Sequence, residues 1–208
     1  MQRCHRLLAL GFALSMIAPM AHAGQIPATT TLSGANENPV NGSPATGSAF
    51  VLLDTTSHSL RVQFVFAGLV AGTTAAHIHC CTVPPGNIGV ATTTPYFAGF
   101  PIAVTSGSYD QTFDTTLPST WNATFITNNG GTPLGAEAAL AAGLAAGTAY
   151  LNVHTSTYPG GEIRGFLNPQ LAPAPVSANI PTLSEWAMAG LVLLILTAGW
   201  LMRRRRAR

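Results

Sequence analysis

Hydrophobic and polar residues alternate over much of the middle of the chain. Between residues 60 and 66, Leu60, Val62, Phe64 and Phe66 fall on one side, and Arg61, Gln63 and Val65 on the other. A period of two is the mark of a half-buried strand in an antiparallel sheet. Residues 47–53 form the partner run, and Asp54 to His58 between them reads as a hairpin turn. Further strands are expected at 29–33, 75–80, 107–114, 148–154 and 162–167. Two helical stretches interrupt them. Ser119 is placed to cap a short helix through Phe125, and the Ala-rich run 134–144 stops near Gly147. The pattern predicts a mainly β fold: a single antiparallel β-sandwich or barrel-like domain with one or two short helices.

The two ends break this pattern and read as addresses. Arg3 and Arg6 precede an apolar run at 7–18, and Ala21-His22-Ala23 has the small-residue spacing of a cleavage site. Residues 1–23 are therefore expected to be a signal peptide, removed by signal peptidase so that the mature chain begins at Gly24. At the other end, Ile180, Pro181, Thr182, Leu183, Ser184, Glu185 and Trp186 lead into an apolar segment. Arg203, Arg204, Arg205, Arg206 and Arg208 close the chain. Residues 186–202 are expected to span a membrane as a helix before processing, with the 203–208 arginines on the cytoplasmic side. Pro and Ala recur through 169–179, an extended linker. The folded domain is thus expected at 24–168.

Composition changes the picture once the ends are set aside. The whole chain carries a formal charge of +2, has no Lys, and is only 8% charged. Within the domain only Arg61 and Arg164 face Glu37, Asp54, Asp110, Asp114, Glu137 and Glu162, a net charge of −4. A weakly acidic surface lacks the clustered cations that phosphate contacts need, which excludes nucleic acid as a partner.

One internal repeat stands out. Residues 67–79 align with 142–154 at seven of thirteen positions, and both end in His. The alignment matches His77 with Asn152 and His79 with His154, and the two strands read as pseudo-symmetric partners. By strand geometry His77 and His79 share a face opposite Ala76 and Ile78. Tyr150, Asn152 and His154 likewise oppose Leu151 and Val153. If the strands are neighbours, His77, His79 and His154 gather on one side and can ligate Zn²⁺ or Cu²⁺ through imidazole nitrogen. The competing expectation is an outer face of ordinary hydrogen-bonding histidines with no metal or other cofactor; no nearby Asp is placed to orient a ligand.

Cys80 and Cys81 are adjacent, and Cys81 shares the histidine face if the strand continues. In an oxidising compartment three outcomes stand open: a vicinal disulfide, a bridge to another molecule, or thiols that help bind a metal. Pro159-Gly160-Gly161 reads as a tight hairpin turn, after which Glu162 and Arg164 point to one face, where an ion pair between them would contribute little if exposed. No nucleophile–base pair is visible, so no catalytic residues are assigned.

Taken together, Leu32–Val40, Ala76-His77-Ile78-His79, the run 143–155 and the run 158–165 resemble the CHRD domain, the repeat of chordin. That resemblance spans nearly the whole folded region. It implies an all-β fold and a secreted or surface location. His77-Ile78-His79 is also similar to the His-x-His strand of copper–zinc superoxide dismutase, but no aspartate-containing zinc loop accompanies it, so dismutase activity is not expected. The tail 180–208 resembles the IPTL-CTERM sorting signal, related to PEP-CTERM. This resemblance implies processing by an exosortase-type protease and a destination in the envelope, surface or extracellular matrix of a Gram-negative bacterium. The expected function is a non-enzymatic binding or structural module whose partners are exopolysaccharide or other surface proteins. The alternative is a copper- or zinc-binding domain, with or without redox activity, at His77, His79 and His154.

Overall fold

A computed structural model of the chain describes residues 24–170 and 185–206. The expected signal peptide, with Ala21 and Ala23, lies outside the described residues. So do Ile180, Pro181, Thr182, Leu183 and all of the linker beyond Gln170.

Eight strands form one antiparallel sheet: β1 (Gln25–Ser33), β2 (Thr46–Asp54), β3 (Ser59–Ala67), β4 (Thr73–His79), β5 (Gly107–Asp114), β6 (Tyr150–Thr155), β7 (Ile163–Phe166) and β8 (Asn168–Pro169). Their order is β4-β6-β7-β1-β2-β3-β5, with β8 paired to β1. The expected strands are present. Of the expected sandwich or barrel-like arrangements the barrel-like one is found: a single sheet curls around its apolar side as a half-barrel. At one end the curl draws its two edges together. Thr73, which opens β4, donates to Val104 O (2.9 Å) and accepts from Ala103 N (2.9 Å), just before β5 begins.

The register follows from the side-chain alternation. β1, β2 and β3 pair without a slip from Gln25↔Asp54 to Ser33↔Thr46 and from Thr46↔Ala67 to Asp54↔Ser59. A shift of one residue would turn Val51, Leu53, Leu60, Val62 and Phe64 outwards, and all of them are buried. Phe64, Phe66, Phe97, Phe100 and Tyr109 fill one end of the barrel with ring centroids 5.3 to 6.4 Å apart. This spacing is that of tilted and offset aromatic pairs.

Two helices cover the open side. α1 (Ala123–Asn128) is capped by Asn122, whose Oδ1 accepts from Thr124 N at 2.8 Å. The expected cap, Ser119, lies instead in the preceding 3-10 turn, Pro118–Thr120. α2 (Pro133–Ala145) starts at a Thr132 cap with Pro133 behind it, and ends where Gly147 takes a φ of 66°. Ala136, Leu140 and Leu144 turn inward. His58, in the β2–β3 turn, holds the buried Glu137 carboxylate of α2 at 3.0 Å, and Thr115 Oγ1 donates to the same group.

The expected domain end is extended slightly. Pro169, assigned to the linker, pairs with Ala28, and Gln170 N donates to Pro27 O (2.8 Å). A separate unit holds α3 (Glu185–Arg206), which begins with Glu185 and Trp186. A helix forms where the membrane span was expected at 186–202. Among the described residues, however, no helix is long and apolar enough to cross a membrane, and the expected crossing is not met.

Candidate metal centre

β4 and β6 are adjacent and antiparallel, so the two His-bearing strands of the sequence repeat do lie side by side. The repeat does not make them equivalent. Residues 142–145 close α2, whereas Ala67 ends β3 and 68–72 form an irregular link. The ladder pairs His77 with Asn152, but His79 with Tyr150 and Ala75 with His154. Antiparallel pairing sets His154 diagonal to His77, within reach of a long side chain.

Ala76, Ile78, Leu151 and Val153 form the core face, as alternation requires. The opposite face is also closed to solvent. His77, His79 and His154 are only 6, 8 and 9% exposed, and Asn152 2%. The cover comes from the long excursion between β4 and β5, which runs back along the free edge of β4. Ala91 N donates to Ile78 O (2.9 Å), and Thr92 Oγ1 accepts from Ile78 N (3.0 Å). The turn between β6 and β7 covers the remainder. These histidines are therefore not an ordinary solvated outer face.

Three inward nitrogens, one from each ring, lie within 4.8 Å of one another. His77 Nδ1 and His154 Nε2 are 3.2 Å apart. Each ring is oriented through its other nitrogen by a main-chain carbonyl: His77 Nε2 by Pro95 O (2.7 Å), His79 Nδ1 by Ile88 O (2.7 Å), and His154 Nδ1 by Pro159 O (3.0 Å). Tyr150 stacks on His79 with centroids 4.6 Å apart and 6° between planes, and its hydroxyl donates to the same Ile88 O at 3.2 Å. Burial lowers the pKa of all three rings, with neighbouring rings adding to the effect on His77 and His79. It takes those two to about 4. At neutral pH the rings are uncharged, the state in which imidazole is a ligand. No Asp was found beside the motif in the sequence; backbone carbonyls fill that orienting role, and a carbonyl leaves no signature in the side-chain pattern.

Cys80 and Cys81 are bonded to each other, which among the three outcomes is the vicinal disulfide. Neither sulfur joins the histidine group. Both sit over α2, with Cys81 Sγ 3.6 Å from Ala139 O, and the missing side chain of Gly143 makes room for them.

Arg164 and Glu162 are corrected most by the fold. Neither is exposed, and they do not pair with each other. Glu162 accepts from Ser43 Oγ (2.7 Å), Val70 N (2.8 Å) and Thr155 Oγ1 (2.6 Å). Arg164, 1% exposed, donates to Asn36 O (2.5 Å), Pro85 O (2.8 Å) and Asn87 Oδ1 (2.6 Å), with Glu37 Oε2 at 3.7 Å. Its guanidinium lies 4.8 Å from the centroid of the Tyr150 ring. It therefore fastens the 85–87 segment, one residue from the Ile88 carbonyl that orients His79. Glu37, 6% exposed, has its pKa raised to about 7 by desolvation, which outweighs the opposing pull of Arg164 and the Asn38 N–H.

The CHRD domain family matches residues 28–167, which covers every strand from β2 to β7, most of β1, and all three histidines. No curated protein and no solved structure matches the chain. A match over that length, on a chain of 208 residues, makes this protein a member of the CHRD domain family.

Proposed function

We propose that this chain is an exported, non-enzymatic surface module whose CHRD domain binds a copper or zinc ion at His77, His79 and His154. The observation that carries the metal reading is the convergence of three inward ring nitrogens within 4.8 Å, each ring oriented by a carbonyl on its far side. Rings held by a hydrogen bond on the non-ligating nitrogen are the usual setting of metal-bound histidine. The extracellular and non-enzymatic part is supported by membership of the CHRD family and by the absence of a nucleophile–base pair in the sequence. Export through a signal peptide, and processing of the 180–208 tail by an exosortase-type protease, are supported by the sequence of the two ends. Exopolysaccharide and other surface proteins are the partners such a module would meet.

Two measurements test this. Metal analysis of the purified full-length protein is expected to give about one equivalent of bound Zn²⁺ or Cu²⁺, with none in a His79→Ala, His154→Ala variant. Equal binding by parent and variant would remove the metal reading. Mass spectrometry of the protein recovered from the envelope is expected to find chains starting at Gly24 and ending before Arg208. An intact Arg208 terminus would refute tail processing.

A further inference from the structure

We propose that Asn152 Oδ1 is the fourth ligand of a closed, tetrahedral Zn²⁺ site completed by His77 Nδ1, His79 Nε2 and His154 Nε2. This rests on the metal reading above and adds to it a ligand, a coordination number and a metal.

The first support is a count of protons. A carbonyl oxygen only accepts, so the ring nitrogen facing Pro95, Ile88 or Pro159 must carry that ring's single proton. The inward nitrogens are then bare lone pairs. His77 Nδ1 and His154 Nε2 stand at hydrogen-bonding distance, 3.2 Å, with no proton between them. His79 Nε2 and Asn152 Oδ1 are buried side by side, and neither meets a donor in hydrogen-bonding geometry. Buried acceptors left unpaired cost about 1–3 kcal/mol each, and here four of them sit on one face of two paired strands. A cation between the four satisfies all of them.

The second support is where Asn152 sits. It is the direct cross-strand partner of His77, and its amide lies against His79. Its nitrogen is turned towards Gly161 and Glu37. A Cβ on Gly161 would stand 2.8 Å from Asn152 Nδ2 and 2.5 Å from Glu37 Oε1, so glycine is what allows the two groups to meet there.

The third support is angular. With Zn–N bonds of about 2.0–2.1 Å, a separation of 3.2 Å subtends about 100–105° at the metal. For that pair the angle is near tetrahedral, whereas the 90° of square-planar Cu²⁺ would bring the nitrogens to about 2.9 Å; separations in the group run up to 4.8 Å, beyond the roughly 4.2 Å that two Zn–N bonds span, so the third ring must move in on binding. With every donor residue under one-tenth exposed, the site has no open position, as in structural rather than catalytic zinc centres.

The test uses metal-free full-length protein, loaded separately with Zn²⁺ and with Co²⁺ as the spectroscopic probe. The parent is expected to bind one Zn²⁺, to give the intense visible band of four-coordinate Co²⁺, and to keep that band unchanged in azide. Asn152→Ala is expected to bind Zn²⁺ at least about tenfold more weakly, and its Co²⁺ band should shift on adding azide, which enters the vacated position. Asn152→Asp, nearly the same shape, is expected to bind Zn²⁺ as tightly or more tightly with no azide response; weaker binding by this variant would overturn the proposal even if the alanine variant fails to fold. Unchanged affinity and spectrum in Asn152→Ala would remove Asn152 as a ligand while leaving the three-histidine reading intact. A parent whose Co²⁺ form gives only the weak visible band of a five- or six-coordinate ion would overturn the tetrahedral assignment. A parent that binds neither ion would remove both.

Discussion

Replacing Arg164 with Met keeps most of the side chain's length and apolar stem while removing the guanidinium. In the parent that group is 1% exposed and donates to Asn36 O, Pro85 O and Asn87 Oδ1, with the Glu37 carboxylate 3.7 Å away. The substitution takes the donor from two carbonyls and an amide oxygen and leaves the buried Glu37 carboxylate without its neighbouring cation. Deleting one partner of a buried charged cluster costs about 3–5 kcal/mol, which is a large share of the roughly 5–15 kcal/mol that holds a domain folded. In urea, at a slope of about 2 kcal/mol per molar, the midpoint should fall by about 2 M with no change in slope. Arg164→Lys should recover only part of this, because an ammonium cannot reproduce a fork that reaches three acceptors on two loops. The change should also reach the histidines. With residues 85–87 released, the Ile88 carbonyl no longer holds His79 in place, and Zn²⁺ affinity should drop about tenfold under conditions where the variant is still folded. A midpoint shift below about 0.5 M in Arg164→Met would refute the reading of Arg164 as the clamp of this face.

Other consequences can be checked in the same preparations. For the metal-free protein, His77 and His79 have folded pKa values near 4 against 6.5 in the open chain. Their contribution is therefore present above about pH 6.5 and lost as pH falls towards 4, about 3 kcal/mol each at most, read from urea midpoints across that range. Glu37 has the opposite sign: with a folded pKa raised from 4.5 to about 7, its contribution is present below 4.5 and lost as pH rises through 7. Glu37→Gln should remove that opposing slope and leave a steeper fall in acid. Gly143→Ala places a methyl group against both sulfurs of the Cys80–Cys81 pair, and α2 should lose about 1–3 kcal/mol, visible as a lower thermal midpoint. Thr132→Ala removes the oxygen that accepts from Gly135 N (3.1 Å) at the start of α2 and should cost about 1 kcal/mol by the same measurement.

What the sequence conveys about this fold is local. The alternation through residues 60–66 places β3 and its buried face, and the hairpin with β2 follows because a short polar turn joins two apolar runs. The arrangement of strands into one curled sheet is not local. β1 pairs with β2 on one side and with β7 and β8 on the other, and those last partners lie more than 120 residues along the chain. A period of two says which face of a strand is apolar. It does not say whether that face meets a second sheet or its own sheet curling round, and a sandwich and a half-barrel require the same alternation. The cap of α1 was hidden for a related reason, since Ser119 and Asn122 are equally good caps by chemistry and the 3-10 turn at Pro118–Thr120 decides between them.

At the site, the three histidines were visible because they lie on strand faces, whereas the groups that give them meaning were not. Pro95, Ile88 and Pro159 contribute carbonyls, and any residue has one. Arg164 and Glu162 follow a Gly-Gly turn and read as a solvated pair, because charged side chains are rarely buried. Arg164 is buried because residues 85–87 of the excursion between β4 and β5 fold over it, and Glu162 because Ser43 and Val70, in the links before β2 and β4, close over it. The burial that misled the sequence reading is the same burial that leaves His79 Nε2, Asn152 Oδ1 and Glu37 Oε1 without partners. A protein that seals unpaired acceptors beside neutral histidines, and fastens the seal with a fully buried arginine, bears a cost that metal-free folding does not offset. On the proposed reading a bound cation offsets it, and the clamp at Arg164 and the donors at His77, His79, Asn152 and His154 then form parts of one device.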